Sequence, residues 1–492
     1  MNGWDTLLAA ARAPSAALTA ALAAPEQAQR ALLLDIVRSN ADTEFGRRHG
    51  FAAIRTLQDY RAAVPIRDYE AVRPWIERMA AAEPNLLVAD PPVAFEETGG
   101  TVSGGKLIPC TKAGLHGFRA AVLPWLADLA RRRPGILAGR AYVSISPATR
   151  QPRRTSGGLP IGLASEAAYL GADLAEALQS ILAVPPEVAA IAAVDDWRLA
   201  TLAHLVERDD LSFVSIWSPT FLLDLVDTLP ELAGAVSRRL GREAQRRLAA
   251  AVRGPVLDTT VLWPRLDTIS CWTDGGSAVF ARRLAAAFPQ AWLEPKGLLA
   301  TEAAVTLPWG SAAGAVPALT STLVEFIDDA GESWLGHELH QGARTRVIVT
   351  TAGGLYRYDL GDQVRCVGHA GTVARLVFEG RAALVCVMVG EKLDEDFVAQ
   401  VLAGLPVAAA MVPAPAPRPH YELWLDGPAG EPCPRIEAGL RANPHYAYAR
   451  DLGQLGPLVA VVEPSFVSRR AVDQATAGRR LGDIKHAPLR RA

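Results

Sequence analysis

Little in this sequence invites a cross-linked or metal-bound framework. Its cysteines, Cys110, Cys271, Cys366, Cys386 and Cys433, are scattered, odd in number and without a CxxC pair. That spacing suggests neither a zinc knuckle nor a disulfide framework. An excess of charge is missing too: 50 basic against 52 acidic residues leave a formal net charge of −2. No global basic field exists to hold a nucleic acid or a membrane surface, and neither is an expected partner. The Ala/Leu-rich residues 1–24 are broken by Asp5, Arg12 and Pro14. Without a basic start and an unbroken apolar run, no secretory leader is expected. No apolar run is expected to reach the ~20 residues that cross a bilayer, so the expected compartment is cytoplasmic. No period of ~30–45 residues recurs, which argues against a solenoid.

What is present is an ordinary folded composition. Half of the 492 residues are hydrophobic and 21% are charged, so the chain is too long for one core and two or three domains are expected. The first ninety residues read as helices, with apolar residues on one face over 31–38 and again over 66–79. The middle alternates short apolar runs, at 141–146, 211–216 and 268–272, with Ala/Leu/Arg helices such as 277–288. Strands alternating with helices predict an α/β architecture with a largely parallel sheet. From Thr345 the pattern changes. Residues 346–351, a Gly353-Gly354 turn and residues 355–358 predict a hairpin. Strands at 373–378 and 382–389 and a helix at 394–402 follow. A Pro/Ala-rich loop at 406–419 and strands at 421–425 and 458–462 complete a small α+β domain. The boundary falls near Gly380 and Arg381, giving domains of 1–380 and 381–492.

Four segments carry candidate chemistry. FEETGGTVSGGKLIP, at 95–109, packs four glycines, three hydroxyls and Lys106 into nine residues. Glycines let backbone N–H groups approach phosphate oxygens, hydroxyls donate further, and an ammonium neutralises charge. No Ser or Thr follows the lysine, so it is not GxxxxGK[ST], and an ordinary flexible loop can have the same composition. In YRYDLGD, at 356–362, Asp362 follows a glycine at a predicted strand end. A carboxylate there can accept two hydrogen bonds from vicinal hydroxyls, although Gly-Asp after a strand is commonly a plain turn. KGLLATE, at 296–302, sets Glu302 beside Thr301, a pair suited to a phosphate-bridging magnesium ion or to a helix start capped by Thr301. In the tail LGDIKHAP, at 481–488, Lys485 taken alone reads as a solvated charge near a basic C-terminus.

Taken together and in order, these segments resemble the auxin-responsive acyl acid–amido synthetases, the Gretchen Hagen family of acyl-adenylating enzymes, in a bacterial-type version. The likeness spans nearly the whole chain: residues 32–51 (LLLDIVRSNADTEFGRRHGF), VPIRDY at 64–69, residues 98–109, VTTAGGLYRY at 349–358 through Gly361 and Asp362, and Ile484-Lys485. The resemblance implies a large multi-sheet N-terminal adenylation domain and a small mobile α+β C-terminal domain. It implies ATP and Mg2+, a small carboxylic acid, and an amine acceptor such as an amino acid. Adenylate formation with loss of pyrophosphate would be followed by amide formation. By match, Thr98, Gly99, Gly100, Thr101, Ser103, Gly104 and Lys106 hold the ATP phosphates. Asp274, Gly275 and Gly276 line the nucleotide pocket. Thr301 and Glu302 contact the α-phosphate and magnesium, Asp362 takes the ribose hydroxyls, and Lys485 bridges carboxylate and phosphate oxygens. Catalysis then rests on Lys485, Glu302, Thr301 and Lys106.

The sequence departs from the family pattern at three places. Gly99 and Val102 replace hydroxyls, Leu298 stands where adenylating enzymes often have a tyrosine, and His486-Ala487-Pro488 follow the tail lysine. The acyl pocket is barely legible. Arg150, Arg153 and Arg154 form a basic loop after a strand and are candidates for a carboxylate. Trp217, Phe221 and Trp272 are candidates to wall an aromatic acid, although aromatic residues near strands also build cores. Two alternatives share these features: an acyl-CoA or carrier-protein ligase, and a non-catalytic nucleotide-binding relative.

Overall fold

The computed structural model describes residues 2–98, 106–143, 153–163, 169–381, 385–386, 388–389, 391, 393–414, 418–476, 484 and 486–490. It opens on two helices, Gly3–Ala23 and Pro25–Ser39. The first begins with a reciprocal cap: the Asn2 side chain accepts from the Asp5 N–H, and the Asp5 carboxylate accepts from the Asn2 N–H. This helix corrects one expectation, since its 21 residues include an 18-residue stretch of mean hydropathy 1.3, enough, by length and composition alone, to cross a membrane. In the structure its Trp4, Leu7, Ala11 and Leu18 are buried in one cluster with Leu123, Leu126 and Leu129 of the helix Lys112–Arg132.

The parallel sheet is present as expected. Arg140–Val143, Leu211–Ser215, Thr268–Cys271 and Trp292–Pro295 lie side by side in that order, every neighbour parallel. Leu211–Ser215 is buried on both faces, and Ser212 is accommodated there because its hydroxyl donates to the Ile136 carbonyl. The helix Ala278–Ala287 follows the third strand. A small sheet joins Ala94–Glu97 to Leu107–Cys110, Pro160–Ile161 and Arg153–Arg154.

The largest sheet has seven strands, with Arg344–Thr351, Tyr358–Ala370 and Val373–Arg381 paired antiparallel at its centre. The predicted hairpin is there, but its second strand starts at Tyr358, opposite Val349. Residues 355–357 belong to the turn because they dip inward: Leu355 and Tyr356 are buried, and Arg357 takes a left-handed φ of 47°. Asp362 therefore lies inside a strand and not at its end, with its Cα opposite that of Arg381 and its side chain buried.

Beyond this sheet a three-stranded sheet of Ala409–Ala414, His420–Leu425 and Val459–Val462 carries its own core, including Met411, Leu423, Ile436 and Leu440. Of the strand expected at 382–389, the described part is Val385–Cys386, paired with Leu393–Asp394. The tail returns onto this sheet. Met411 N–H donates to the Pro488 carbonyl at 2.7 Å, and Arg490 N–H donates to the Met411 carbonyl at 2.9 Å.

Candidate active site

The carboxyl ends of the parallel strands, the turn at 351–355 and the tail at 486–488 meet around a cavity of about 360 Å³. Trp217 follows the second parallel strand, Thr273 and Asp274 follow the third, and Gly297–Ala304 of the wall follow the fourth. That edge of an open α/β sheet is where ligands bind, because the chain leaves each strand there and opens a crevice. The start of the helix Lys112–Arg132 and Thr98, just beyond Ala94–Glu97, close other sides.

Each contributor is held locally. Asp274 accepts from the Phe378 N–H at 3.3 Å and from the Thr273 hydroxyl at 3.2 Å, while burial pushes its carboxyl above the ordinary range. Gly276 is a glycine for a steric reason, since a Cβ there would stand 3.1 Å from the His486 carbonyl oxygen of the tail. Gly297 combines a φ of 70° with a position only 2.7 Å from the Thr306 carbonyl oxygen, measured from a would-be Cβ. Thr301 and Glu302 sit in a tight loop closed by an Ala300 N–H to Ala303 carbonyl bond, not at a helix start. Glu302 is buried and Thr301 exposed. Among the described residues, the charged side chains lining the cavity are all carboxylates: Glu96, Glu97, Asp274, Glu302, Asp362 and Glu395.

The sequence of folds and motifs around this cavity has a family counterpart. Residues 15–293 match the GH3 family N-terminal domain, and residues 316–381 match the GH3 family central domain. The chain belongs to the GH3 family. The indole-3-acetic acid-amido synthetase GH3.5 of Arabidopsis thaliana is 26% identical over 27% of this chain and 22% of its own length. The probable indole-3-acetic acid-amido synthetase GH3.4 of Oryza sativa subsp. japonica is 26% identical over 75% of this chain and 67% of its own length. The match thus spans about a fifth of the first relative and about two thirds of the second. The solved acyl acid amido synthetase AtGH3.15, in complex with 2,4-DB, superposes with a TM-score of 0.84 at 18% identity. That likeness covers 94% of this chain and 91% of the other, and shows a shared fold.

Of the GH3 residues singled out in the sequence, Thr98, Asp274, Gly276, Thr301, Glu302, Asp362, Trp217 and Trp272 line the one cavity. Gly275 adjoins it with a φ of 54°. Gly99, Gly100, Thr101, Ser103, Gly104, Arg150 and Lys485 lie outside the described residues. Three others are placed elsewhere. Lys106 is not on the cavity wall; its ammonium lies 5.2 Å from the Tyr69 ring centre, and the Tyr69 hydroxyl accepts from the Leu107 N–H. Phe221 is core, packed on Trp197 and Tyr142 because the helix Pro219–Ser237 turns it toward the parallel sheet. Arg153 is exposed and pairs with Glu97 at 2.9 Å, so it reaches the cavity only through that carboxylate.

The structure adds lining residues that sequence reasoning passed over. Phe118 and Tyr169 pair at 5.3 Å on one side, facing into the same space as Trp217 and Trp272, which pair at 5.9 Å. Leu115 and Phe118 show a helical i, i+3 spacing, the only signal available, and such spacing reads as core. His486 was noted only as a departure in the tail, yet it stands in the wall beside Phe280.

Proposed function

We propose that this chain is an ATP-dependent acyl-acid amido synthetase. It adenylates a carboxylic acid with release of pyrophosphate, then transfers the acyl group to an amino acid or related amine with release of AMP. One observation carries the reading: Thr98, Asp274, Thr301 with Glu302, and Asp362 come from four distant stretches and line one cavity, whose wall also includes the aromatic pairs Trp217–Trp272 and Phe118–Tyr169.

The residues present fit a nucleotide. Thr98 Oγ1 is buried and has no hydrogen-bond partner among the described residues. It is a hydroxyl donor at the entrance to the glycine-rich stretch. Asp362, buried beside the turn, is a carboxylate suited to vicinal ribose hydroxyls. A magnesium ion fits as well, though not as a protein cage. Among the described residues no group of three His, Cys, Asp or Glu gathers to hold a metal. Magnesium is usually held by one or two carboxylates plus substrate phosphates and waters, and Glu302 supplies such a carboxylate. When bound there it neutralises charge on the phosphate oxygens.

The chemistry follows from charge. ATP and the acid are both anions, and the described wall adds six carboxylates, so cations must be aimed at the reacting oxygens. We assign that role to magnesium at Glu302 and to Lys485. An oxygen of the acid attacks the α-phosphorus, and pyrophosphate leaves with the electron pair of the broken P–O bond. The amine nitrogen, deprotonated and held at the activated carbonyl, then displaces AMP and loses its second proton to solvent. The aromatic pairs Trp217–Trp272 and Phe118–Tyr169 hold the acyl group.

The test is a pyrophosphate-release screen over aryl and alkyl acids with ATP, followed by mass spectrometry with amino acids or coenzyme A. Acid-dependent release and an amide product are expected. A thioester without amide overturns the amide step, and no nucleotide binding by calorimetry overturns the enzyme reading.

A further inference from the structure

Lys296 is buried, at 6% exposure, at the carboxyl edge of the parallel sheet, one residue before Gly297 of the cavity wall. Its ammonium donates to the Ser215 hydroxyl at 2.7 Å and to the Ser270 hydroxyl at 3.5 Å, so it bridges the ends of two neighbouring strands. It also lies 5.2 Å from the ring centre of Trp125 and 5.2 Å from that of Trp217. Trp217 walls the cavity and pairs there with Trp272, whose backbone N–H donates to the Trp217 carbonyl at 2.8 Å. Trp125 belongs to the helix whose first turns supply Gly114, Leu115 and Phe118 to the opposite wall.

A buried ammonium is expensive unless hydroxyls and aromatic faces replace its water, and this one has both. A solely apolar side chain would fill the same space at less cost. The charge therefore does something packing alone does not. Attraction to two indole faces fixes their orientation, since a ring that swings away loses its cation.

We infer that Lys296 is a specificity-determining positioning residue, which clamps Trp217 and Trp125 so that the aromatic walls stand at the separation and tilt one acyl group requires. The residue does not line the cavity and touches no reacting atom; it acts through Trp217. The inference rests on the amido-synthetase reading of the cavity and names the element that sets its acid preference.

The test uses the full chain and the acid that gives most pyrophosphate release in the parent. Lys296→Met keeps the volume and removes the charge; Lys296→Arg keeps a cation that stacks on aromatic faces. In Lys296→Met the KM for the acid rises about tenfold, as expected for the loss of two cation–π contacts, while kcat and the KM for ATP change less than about threefold. Lys296→Arg recovers most of the acid KM. The ranking of acids also flattens in Lys296→Met, because loosened walls discriminate less. An unchanged acid KM and ranking in a folded Lys296→Met overturns the inference, and so does a parallel rise in the KM for ATP and acid. If Lys296→Met does not fold, the arginine variant decides: acid KM and ranking near the parent's support the clamp, and loss of both with the fold intact overturns it. Failure of the parent to release pyrophosphate with any acid sinks the synthetase reading instead, which separates the two.

Discussion

Arg357 and Glu325 form a buried ion pair beneath the turn that borders the cavity, Nε to Oε2 at 3.1 Å with the two side chains 8% and 1% exposed. Arg61 joins from the N-terminal helices, its Nε 2.8 Å from Glu325 Oε1. The Arg357 guanidinium also donates to the carbonyls of Arg61 and Val64, and its backbone N–H to the Thr350 hydroxyl. This network holds Arg357 at its left-handed φ of 47° and presents Thr351, Ala352, Gly353 and Leu355 to the cavity. Breaking a buried pair from one side leaves a desolvated charge, costing on the order of 3–5 kcal/mol. Glu325→Ala, which strands two guanidinium groups, is expected to lose that much stability in urea unfolding. Arg357→Lys keeps the charge but loses the forked geometry and loses less. Equal midpoints for Glu325→Ala and parent would show that the network does not hold the turn.

Asp362 gives a prediction about nucleotide affinity. Its carboxylate is buried in a strand on the cavity wall. Two hydrogen bonds from ribose hydroxyls to a charged acceptor are worth about 3 kcal/mol or more. Asp362→Ala should therefore raise the apparent KM for ATP by about a hundredfold, and Asp362→Asn, which still accepts, by less. Initial rates at varied ATP check this, with melting temperatures recorded to separate misfolding from weakened binding. An unchanged ATP requirement removes Asp362 from the site.

Particular residues show why some of this was readable from sequence. Leu211–Ser215 and Thr268–Cys271 carry β-branched or apolar residues with only small hydroxyls between them and are buried nearly throughout, so their strands were legible from pattern. Asp274, Glu302 and Asp362 were legible as types in motif order, and the fold then brings them to one cavity. For Lys106, composition says what a glycine-rich stretch contains, not where its lysine points; in the structure its ammonium lies over the ring of Tyr69, distant in sequence. The Phe118–Tyr169 pair was invisible for the same reason, since 51 positions separate partners whose meeting is decided by tertiary packing. The inward turn at 355–357 depends on Glu325, from another strand. The return of Leu489 onto Met411 sets the tail against Gly276, and no local signal encodes it.

Lys485 carries a sharper kinetic prediction. Its neighbour Ile484 is buried, and His486, Ala487 and Pro488 stand in the cavity wall, so the tail is delivered to the site. Stabilising charge at the α-phosphorus matters in the transition state more than in the bound nucleotide. Lys485→Ala should thus lower acid-dependent ATP–pyrophosphate exchange at least about a hundredfold, with calorimetric ATP affinity changed by less than about threefold. Equal exchange rates in variant and parent would falsify the role.

His486 makes stability depend on pH in a defined direction. Burial pushes its imidazole down from the ordinary 6.5 to about 4, the positive Arg490 and Arg470 push the same way, and the Ala409 carbonyl opposes them. The folded state holds the ring neutral, with a ring nitrogen 2.8 Å from that carbonyl oxygen. The unfolded chain binds a proton near pH 6.5 that the folded chain refuses until about pH 4. The resulting stabilisation is fully present above pH 6.5 and drains away as pH falls toward 4. The ring is partly open to the cavity, so the amount is on the order of 2 kcal/mol, below the full value of the shift. His486→Phe keeps an aromatic ring against Phe280 but cannot titrate. Melting temperatures between pH 7.5 and 4 should fall more steeply for the parent than for this variant, so the parent loses ground to the variant as the pH drops. Curves that run parallel across the whole range would mean that the tail imidazole is solvated rather than buried. The tail would then not be packed against Phe280 as the structure shows.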